Sequence, residues 1–584
     1  MEKYDVLVLG TGVAEAVLGA ALSRAGKKVL QVDENKYYGS SWASLTLKEL
    51  LKWSEEQNAT VQFPRDGQLS DALLALDRHY SLSLRPTLLP AFGPTIEALV
   101  RSNVASYATF RLLDRVAVYE AESHRLQSVP ASKSDIFRNK QISLADKRRL
   151  MRFLQIALEP SQPNHPAEAA TPSSEQPALL ADVLKHLQIA ERLQSAVQYG
   201  VCLAWNSMES TDSALHRTRR ALKGLGRYGD SAYLVGQYGG AGELAQGFCR
   251  AAAVKGATFV LGHSVQSLDY ADGQWVLHLD GVDEVFTATQ LACPTESLNY
   301  SMGKAAQFTE HKVYEHMAII ITDAPIDWQQ VNTDTDVLET SLLVFPPGTV
   351  PGIPNNVMVL MQGEGTFSCP KGQYVYHLIT YAEKAQTVNM QGACDLLMQL
   401  LEPRSDACNQ PTKNNEEKHL GESHEIMKVI DTDGKEPDQD NETEHHGPTT
   451  RIPILTLFHT RPLQSGEQPI SDNIKCDFSI HAGAYTNTNC SFASKNLRSS
   501  LCTDDIQPQS VPNLMEILDI AVIQAEEAFW QLYPSELRQN AELAIEARKR
   551  IHQPSDYQGR GGVEPDHSQV PTYADVEFFA PESD

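Results

Sequence analysis

The chain has 584 residues, of which 42% are hydrophobic and 21% are charged, and its formal net charge is −25 at pH 7. This composition is typical of a globular chain with two or more domains, and it excludes collagen-like, wholly disordered and small disulfide-stabilised proteins. The negative charge disfavours binding to nucleic acid and to anionic membrane surfaces, so we expect any electrostatically held partner to be basic.

Cysteine usage and hydropathy indicate the compartment. The nine cysteines are scattered and include no Cys-x-x-Cys pair, which favours reduced thiols and argues against a structural zinc site. No apolar run approaches the roughly 18 residues that span a bilayer, and the C-terminus carries no prenylation cysteine. We therefore expect a cytoplasmic chain without a bound metal and without a lipid anchor of its own.

The first 34 residues predict a βαβ unit, with strands over 4–9 and 29–32 and a helix over 13–24. Mostly helical patterns follow over 86–158 and 179–203, and they are separated by a Pro-, Ala- and Ser-rich surface insertion at 159–178. Capping patterns at Ser132 and Ser143 predict two short helices within residues 132–154. Short strand patterns then occupy residues 258–261, 265–268, 275–279, 284–287 and 290–293, and further strand patterns occupy 318–322, 341–345, 357–362 and 374–380.

These elements predict an α/β fold with mixed sheets and an inserted all-helical domain. Residues 402–450 are acidic and poor in aromatic side chains, which is typical of a disordered insertion. A helix is predicted over residues 514–533, before a polar tail. The predicted organisation is one discontinuous α/β domain at 1–111, 212–400 and 451–535, a helical domain at 112–211, and a C-terminal tail at 536–584.

The loop after the first strand has part of a dinucleotide-binding pattern. Gly10 and Gly12 permit a tight turn, and Asp33 follows at the spacing of the acidic residue that binds a ribose. The third glycine position holds Glu15, whose carboxylate would oppose the phosphate charges. The late Gly-Asp pair of flavoproteins is missing, because the only such pair is Gly229-Asp230. The pattern therefore favours a degenerate nucleotide loop over a working FAD site, and no other catalytic motif is present.

Two blocks of sequence resemble the Rab GDP dissociation inhibitor and Rab escort protein superfamily. One is the opening strand and glycine loop with Tyr37-Tyr38-Gly39, and the other runs from Gly226-Arg227-Tyr228 through Gly242-Glu243-Leu244 to Gly256-Ala257-Thr258. The resemblance covers most of residues 1–300 and extends more thinly to about 490. It implies a fold like that of FAD-dependent oxidoreductases, used without FAD. Three short motifs resemble escort proteins, of fungal type, more than dissociation inhibitors: Trp42-Ala43-Ser44, Leu84-Arg85-Pro86 and Arg101-Ser102-Asn103-Val104.

The resemblance also implies a non-catalytic accessory subunit with defined partners. These partners are GDP-bound Rab GTPases, the αβ heterodimer of Rab geranylgeranyltransferase, the geranylgeranyl group of the Rab and, transiently, the membrane that receives the Rab. The implied Rab-binding platform contains Tyr38, Glu243, Arg250, Thr258 and Val260. The implied mobile effector loop contains Arg227, Ser231 and Tyr233, and the implied transferase-binding residue is Phe137.

Each implied site has a structural alternative. Glu243 and Arg250 lie two helical turns apart and could form an ordinary surface ion pair. Thr258 and Val260 could belong to a plain strand face, and Phe137 could be a core residue of a helical domain. Two other functions also remain open: a dissociation inhibitor that extracts and recycles prenylated Rab, and an FAD-dependent oxidoreductase.

Overall fold

The computed structural model describes residues 2–129, 136, 142–158, 179–293, 313–328, 338–382, 388–402, 451–463 and 514–532. The strands in these ranges are β1 (Glu2–Leu9), β2 (Val29–Asp33), β3 (Ser44–Leu45), β4 (Thr60–Gln62), β5 (Leu82–Ser83), β6 (Leu89–Pro90), β7 (Phe110–Leu112), β8 (Arg115–Glu120), β9 (Arg125–Ser128), β10 (Tyr233–Gly236), β11 (Thr258–Leu261), β12 (Val265–Ala271), β13 (Gln274–Leu279), β14 (Phe286–Ala292), β15 (Val313–Thr322), β16 (Thr340–Phe345), β17 (Val357–Gln362), β18 (Tyr374–Ala382) and β19 (Leu455–Leu463). The α-helices are α1 (Val13–Arg24), α2 (Leu47–Glu56), α3 (Asp71–Ala75), α4 (Pro94–Arg101), α5 (Leu144–Leu158), α6 (Leu180–His186), α7 (Glu191–Ser195), α8 (Thr211–Gly224), α9 (Ala241–Val254), α10 (Met390–Gln399) and α11 (Ile517–Leu532).

A six-stranded mixed sheet contains the first strand of the chain. Its order is β11-β2-β1-β14-β13-β12, with parallel pairing across the first four strands and an antiparallel meander across the last three. The predicted βαβ opening is confirmed, and α1 has the predicted bounds. The separate strands predicted at 284–287 and 290–293 are wrong, because one continuous strand, β14, pairs with β1 through this region.

A second sheet has eight strands in the order β4-β19-β15-β18-β17-β16-β8-β9. Its pairs are antiparallel except for β16 and β8, which run parallel. The strands predicted between residues 318 and 380 are confirmed as β15 to β18, and they form the middle of this sheet.

The prediction of mostly helical structure over residues 86–158 is wrong for the middle of that range. Helices α4 and α5 are present, but β7, β8 and β9 lie between them. Strand β8 contains Val116 and Val118, whose β-branched side chains favour extended backbone, and pairing with β16 buries the centre of the strand. The β8–β9 hairpin therefore extends the eight-stranded sheet, although it falls within the range 112–211 that the sequence predicts to be a helical domain.

Helices are present where they were predicted in the following segment. Helix α5 begins after Ser143, whose hydroxyl oxygen accepts a hydrogen bond from the Asp146 N–H at 3.1 Å, as the capping pattern predicts. Helices α6 and α7 and a π-helical turn at Ala196–Val201 then account for the helical pattern near 179–203. The predicted first short helix, apart from Ile136, and the insertion at 159–178 lie outside the described residues.

Helix α1 is buried along almost its whole length between the six-stranded sheet and the helices α9 and α11. Small side chains permit this close packing. A Cβ atom on Gly19 would lie 2.6 Å from the Gln31 side-chain oxygen, so the helix approaches strand β2 at a distance that other residues would not allow. The packing places the loop between β1 and α1 in the protein interior.

The residues on either side of the segment 403–450, Glu402 and Arg451, contact each other. The Arg451 Nε donates a hydrogen bond to the Glu402 carbonyl oxygen at 2.9 Å, and Arg451 also lies 3.2 Å from the Asp323 carboxylate. The Glu402 N–H donates to the Pro325 carbonyl oxygen at 3.0 Å. The predicted acidic insertion beyond Glu402 and the tail at 536–584 lie outside the described residues.

Candidate functional site

The loop between β1 and α1 has the backbone shape of a nucleotide-binding turn. Gly10 has a φ of +100°, a conformation that favours glycine, and its N–H donates a hydrogen bond to the Val32 carbonyl oxygen at 2.6 Å. Gly12 then occupies the N-cap position of α1. The two glycines therefore make the tight turn that the sequence predicts.

Hydrogen bonds within the protein occupy the Asp33 carboxylate. Its Oδ2 accepts hydrogen bonds from the Thr11 N–H at 2.9 Å, the Thr11 hydroxyl at 2.5 Å and the Ser40 hydroxyl at 2.6 Å. Its Oδ1 accepts from the Asn35 backbone and side chain at 2.9 and 2.8 Å. This carboxylate, which would bind a ribose in a dinucleotide site, instead fastens the loop to the following turn.

Side chains fill the space beside the glycine loop. Glu15 and Trp42 are each 2% exposed. A Cβ atom on Gly12 would lie 2.6 Å from a Glu15 carboxylate oxygen and 3.2 Å from the Trp42 ring. A dinucleotide pyrophosphate would therefore meet a carboxylate and an indole at the helix N-terminus. The residues present do not fit FAD in the position that the glycine pattern suggests.

A buried ionic network continues from Trp42 toward the second sheet. The Arg85 guanidinium lies over the Trp42 ring, 4.4 Å from its centre. Burial alone would raise the pKa of Glu315, but Arg461, Arg85 and a hydrogen bond from the Tyr381 hydroxyl outweigh it, and the pKa of Glu315 is lowered. Charged protein groups thus form a buried network that joins Trp42 and Arg85 to the eight-stranded sheet.

Helix α9 presents the two charged residues predicted for the platform. Leu244, Ala245 and Phe248 face the core, whereas Glu243 and Arg250 are exposed and lie about 10 Å apart along the helix axis. Partial desolvation raises the pKa of Glu243. Within the described part of the chain, no ion pair joins Glu243 to Arg250. Glu243 and Arg250 therefore do not form the surface ion pair with each other that the sequence left as an alternative.

Tyr38 lies beside α9 and contacts Phe259, an aromatic residue that no sequence motif indicates. Its ring meets the Phe259 ring edge-on, with 5.7 Å between centres. Tyr38 is half-buried, and desolvation raises the pKa of its hydroxyl. Alternation along β11 places Phe259 on the face of the sheet that carries α1 and α9.

Thr258 and Val260 lie on the opposite face of the same strand. Val260 packs against the hydrophobic cluster that contains Tyr4, Leu7 and Leu30, on the side of the sheet away from α9. Because β11 is an edge strand, a partner could contact both faces of β11 only by binding across the edge of the sheet. The structure therefore brings Tyr38, Glu243 and Arg250 to one side, and their roles and those of Thr258 and Val260 stay predictions.

The predicted effector loop connects α8 to β10. Gly226 and Gly229 have φ values of +84° and +149°, which favour glycine at both positions. Arg227 is exposed, and its guanidinium lies 5.9 Å from the centre of the Phe92 ring and 5.7 Å from that of Tyr228. A partner could thus reach Arg227 without any rearrangement.

The other two residues predicted for this loop are less accessible. Ser231 is half-buried, and its hydroxyl oxygen accepts a hydrogen bond from the Tyr233 N–H at 3.3 Å. Tyr233 is a core residue of β10, is 4% exposed and places its hydroxyl 3.7 Å from the Met515 sulfur. A direct partner contact by Tyr233 would require displacement of β10.

Phe137 lies outside the described residues, so its predicted contact with a transferase stays a prediction. The neighbouring helix α5 carries a basic face, formed by the run Lys147-Arg148-Arg149. Asp146 binds the side chains of Arg149 at 3.2 Å and Arg192 at 3.4 Å, whereas Arg148 is exposed. Part of this basic face therefore stabilises the helical region itself.

The described ranges contain no cluster of three or more side chains that could hold a metal ion. Among the helices of the same ranges, none is long and apolar enough to cross a membrane.

Comparison with known proteins identifies the family. Residues 1–419 match the family model described as GDP dissociation inhibitor. The Rab proteins geranylgeranyltransferase component A of Candida albicans is 29% identical over 393 residues, which cover 64% of this chain and 59% of that protein. The component A of Drosophila melanogaster is 28% identical over 398 residues, which cover 65% of this chain and 75% of that protein. The chain thus spans less than two thirds of the length of the Candida relative.

A solved structure supports the same fold. The crystal structure of a Rab GDI from Plasmodium falciparum has a TM-score of 0.53 and 20% sequence identity, and it covers 68% of this chain and 86% of that one. The predicted α/β class with mixed sheets is confirmed by this likeness and by the two sheets. The chain belongs to the GDP dissociation inhibitor family.

Proposed function

We propose that the protein is a Rab escort protein, a non-catalytic subunit of the Rab geranylgeranyltransferase system. It binds GDP-bound Rab GTPases, presents their C-terminal cysteines to the αβ heterodimer, shields the attached geranylgeranyl group and delivers the Rab to a membrane. The observation that carries this proposal is the exposed pair Glu243 and Arg250 on one face of α9, in a chain similar to component A proteins.

The chemistry of this pair suits a protein partner. Arg250 offers a planar fork of N–H donors for a carboxylate, and Glu243 offers acceptors for a basic or hydroxyl group. The two groups are fixed at about 10 Å by one rigid helix, so they can fix the register of a docked surface. Tyr38 adds an aromatic contact beside them.

We also propose that the protein binds no FAD and carries out no redox reaction. Glu15, Trp42 and the internally bonded Asp33 support this part of the proposal. Protein purified without added cofactor should show no flavin absorbance near 450 nm, and a yellow, stoichiometrically loaded protein would overturn it.

The alternative is a dissociation inhibitor that extracts prenylated Rab from membranes. The family match and the fold of the Plasmodium protein favour it, because the same platform could serve both tasks. Transferase binding distinguishes the two functions, since a dissociation inhibitor does not require a transferase-binding surface.

Reconstitution with purified components tests the escort function. We expect the αβ heterodimer to prenylate GDP-bound Rab with geranylgeranyl diphosphate only when this protein is added. Replacing Phe137→Ala should weaken binding to the heterodimer by about 30-fold or more, the effect of losing an interface hot spot, while Rab binding is unchanged. Leu144→Ala, at a neighbouring leucine that is 76% exposed, is the matched control. Extraction of prenylated Rab without support of prenylation would favour the dissociation inhibitor.

The platform gives a second expected result. Glu243→Ala and Arg250→Ala should each weaken binding of GDP-bound Rab by about 10- to 100-fold, because each removes a charged group at the centre of the contact. Lys255→Ala changes an exposed charge on another side of the same helix end and should have less than about a twofold effect. Titration of fluorescently labelled Rab measures all three, and equal affinities for all variants would place the Rab elsewhere.

A further inference from the structure

Arg250 rests on an aromatic ring that comes from a distant part of the sequence. Its guanidinium carbon lies 5.0 Å from the centre of the Tyr107 ring. Tyr107 is 40% exposed, so the ring and the guanidinium form one patch at the surface. No carboxylate pairs with Arg250 within the ranges that the structure describes.

Local hydrogen bonds hold the turn that carries Tyr107. Asn103 adopts a left-handed conformation with a φ of +62°, and the Ser106 hydroxyl donates to its carbonyl oxygen at 2.7 Å. The Tyr107 N–H donates to the Val104 carbonyl oxygen at 3.0 Å. Because its backbone is fixed in this way, the turn presents the tyrosine ring in a defined position.

A glycine on α9 allows this turn to reach the helix. Gly247 lies on the same helix face as Glu243 and Arg250, and a Cβ atom there would be 2.8 Å from a Val104 methyl carbon. Val104 is fully buried against this part of the helix. The contact between Val104 and Gly247 thus brings the Tyr107 ring beside Arg250, one helical turn further along.

An exposed arginine without such support would sample many rotamers, and ordering it on binding costs side-chain entropy. An aromatic ring beneath the guanidinium attracts the cation. The N–H groups in the plane of the guanidinium stay free to donate hydrogen bonds. An arginine ordered in advance binds a carboxylate with a smaller loss of entropy.

We propose that Tyr107 is a positioning residue, which holds the Arg250 guanidinium ready to bind a carboxylate on the GTPase. This inference rests on the proposed function of α9 as the Rab-binding platform. The ring supplies orientation, and its exposed edge supplies an apolar contact beside the ion pair. The recognised surface therefore carries an acidic side chain next to an apolar one.

A double-mutant cycle tests this role. Tyr107→Leu keeps the bulk but removes the ring, and it should weaken binding of GDP-bound Rab by about five- to tenfold. Tyr107→Phe keeps the ring and should stay within about twofold of the unaltered protein. In an Arg250→Ala background, Tyr107→Leu should have little further effect, because its action passes through Arg250. An undiminished effect of Tyr107→Leu in that background, or no effect in either, would overturn the proposal.

Measurement on the free protein separates positioning from partner binding. NMR with labelled arginine should show the side-chain protons of Arg250 shifted upfield by the ring in the unaltered protein and in Tyr107→Phe, and not in Tyr107→Leu. Identical Arg250 signals in all three would contradict the positioning role. Failure of the unaltered protein to bind Rab would overturn the proposed function itself, whereas Rab binding without coupling between the two positions would overturn only the role of Tyr107.

Discussion

Replacing Arg217→Ala should lower the free energy of unfolding by about 3–5 kcal/mol, because it leaves buried carboxylates without their counter-charge. Arg217 is fully buried on α8. Its guanidinium lies 2.6 Å from Glu209 and 3.6 Å from Glu516, and its Nε donates to the Cys202 carbonyl oxygen at 2.8 Å. Arg217 thus connects α8 to Cys202, directly after the π-helical turn, and to Glu516, directly before α11.

Thermal unfolding followed by circular dichroism would measure this loss. Arg148→Ala, at an exposed arginine on α5, is the matched control and should change the unfolding free energy by less than about 0.5 kcal/mol. Arg217→Lys keeps the charge without the fork of donors and should lie between the two, which gives a reading even if the alanine variant does not accumulate. Unfolding temperatures that agree for Arg217→Ala and Arg148→Ala would contradict the expectation.

Replacing Trp42→Ala should also cost about 3–5 kcal/mol of unfolding free energy, the usual range for removing a large buried aromatic side chain. The indole fills the space between the glycine loop and Arg85, so its loss creates a cavity and removes the ring that faces the guanidinium. Arg85 would then lie in the interior beside an empty volume, which adds to the cost.

The same unfolding measurement serves for Trp42→Ala. Tyr270→Ala is a suitable control, because Tyr270 is an aromatic residue of β12 that is 60% exposed and should cost at most about 1 kcal/mol. A Trp42 variant as stable as the Tyr270 variant would mean that the space beside the loop closes by rearrangement, and that the indole is not what fills it.

Local sequence patterns predict the elements whose apolar periodicity is clear and whose ends carry turn residues. The bounds of α1 and of β17 match the predictions, and a glycine lies at one end of each, with Gly12 directly before α1 and Gly363 directly after β17. The pattern does not reveal strand β8, because its apolar run is short and lies within a stretch of mostly helical patterns; in the fold, Val116 pairs with Leu342 in β16. A short apolar run of this kind does not itself distinguish a strand from a buried helix.

The candidate site likewise contains one residue that the sequence pattern indicates and two whose contacts depend on the folded chain. Glu15 could be identified as an obstacle from its position in the glycine pattern, since it is only three residues from Gly12. Trp42 could not, because its approach to the loop depends on the turn after β2 and on Arg85. Tyr107 likewise meets Arg250 across more than a hundred residues, through packing that only the folded chain defines.

The hydrogen bond from Arg451 to the Glu402 carbonyl oxygen has an evolutionary consequence. Since Arg451 and Glu402 already contact each other, doubling the length of the sequence between them would cost only about 0.6 kcal/mol of closure entropy. Strand β19 begins four residues after Arg451 and pairs with β15 over nine residues, from Val313 with Leu463 to Ile321 with Leu455. Insertions and deletions can therefore accumulate here without harm to the sheet, and a reporter domain could be grafted at this point.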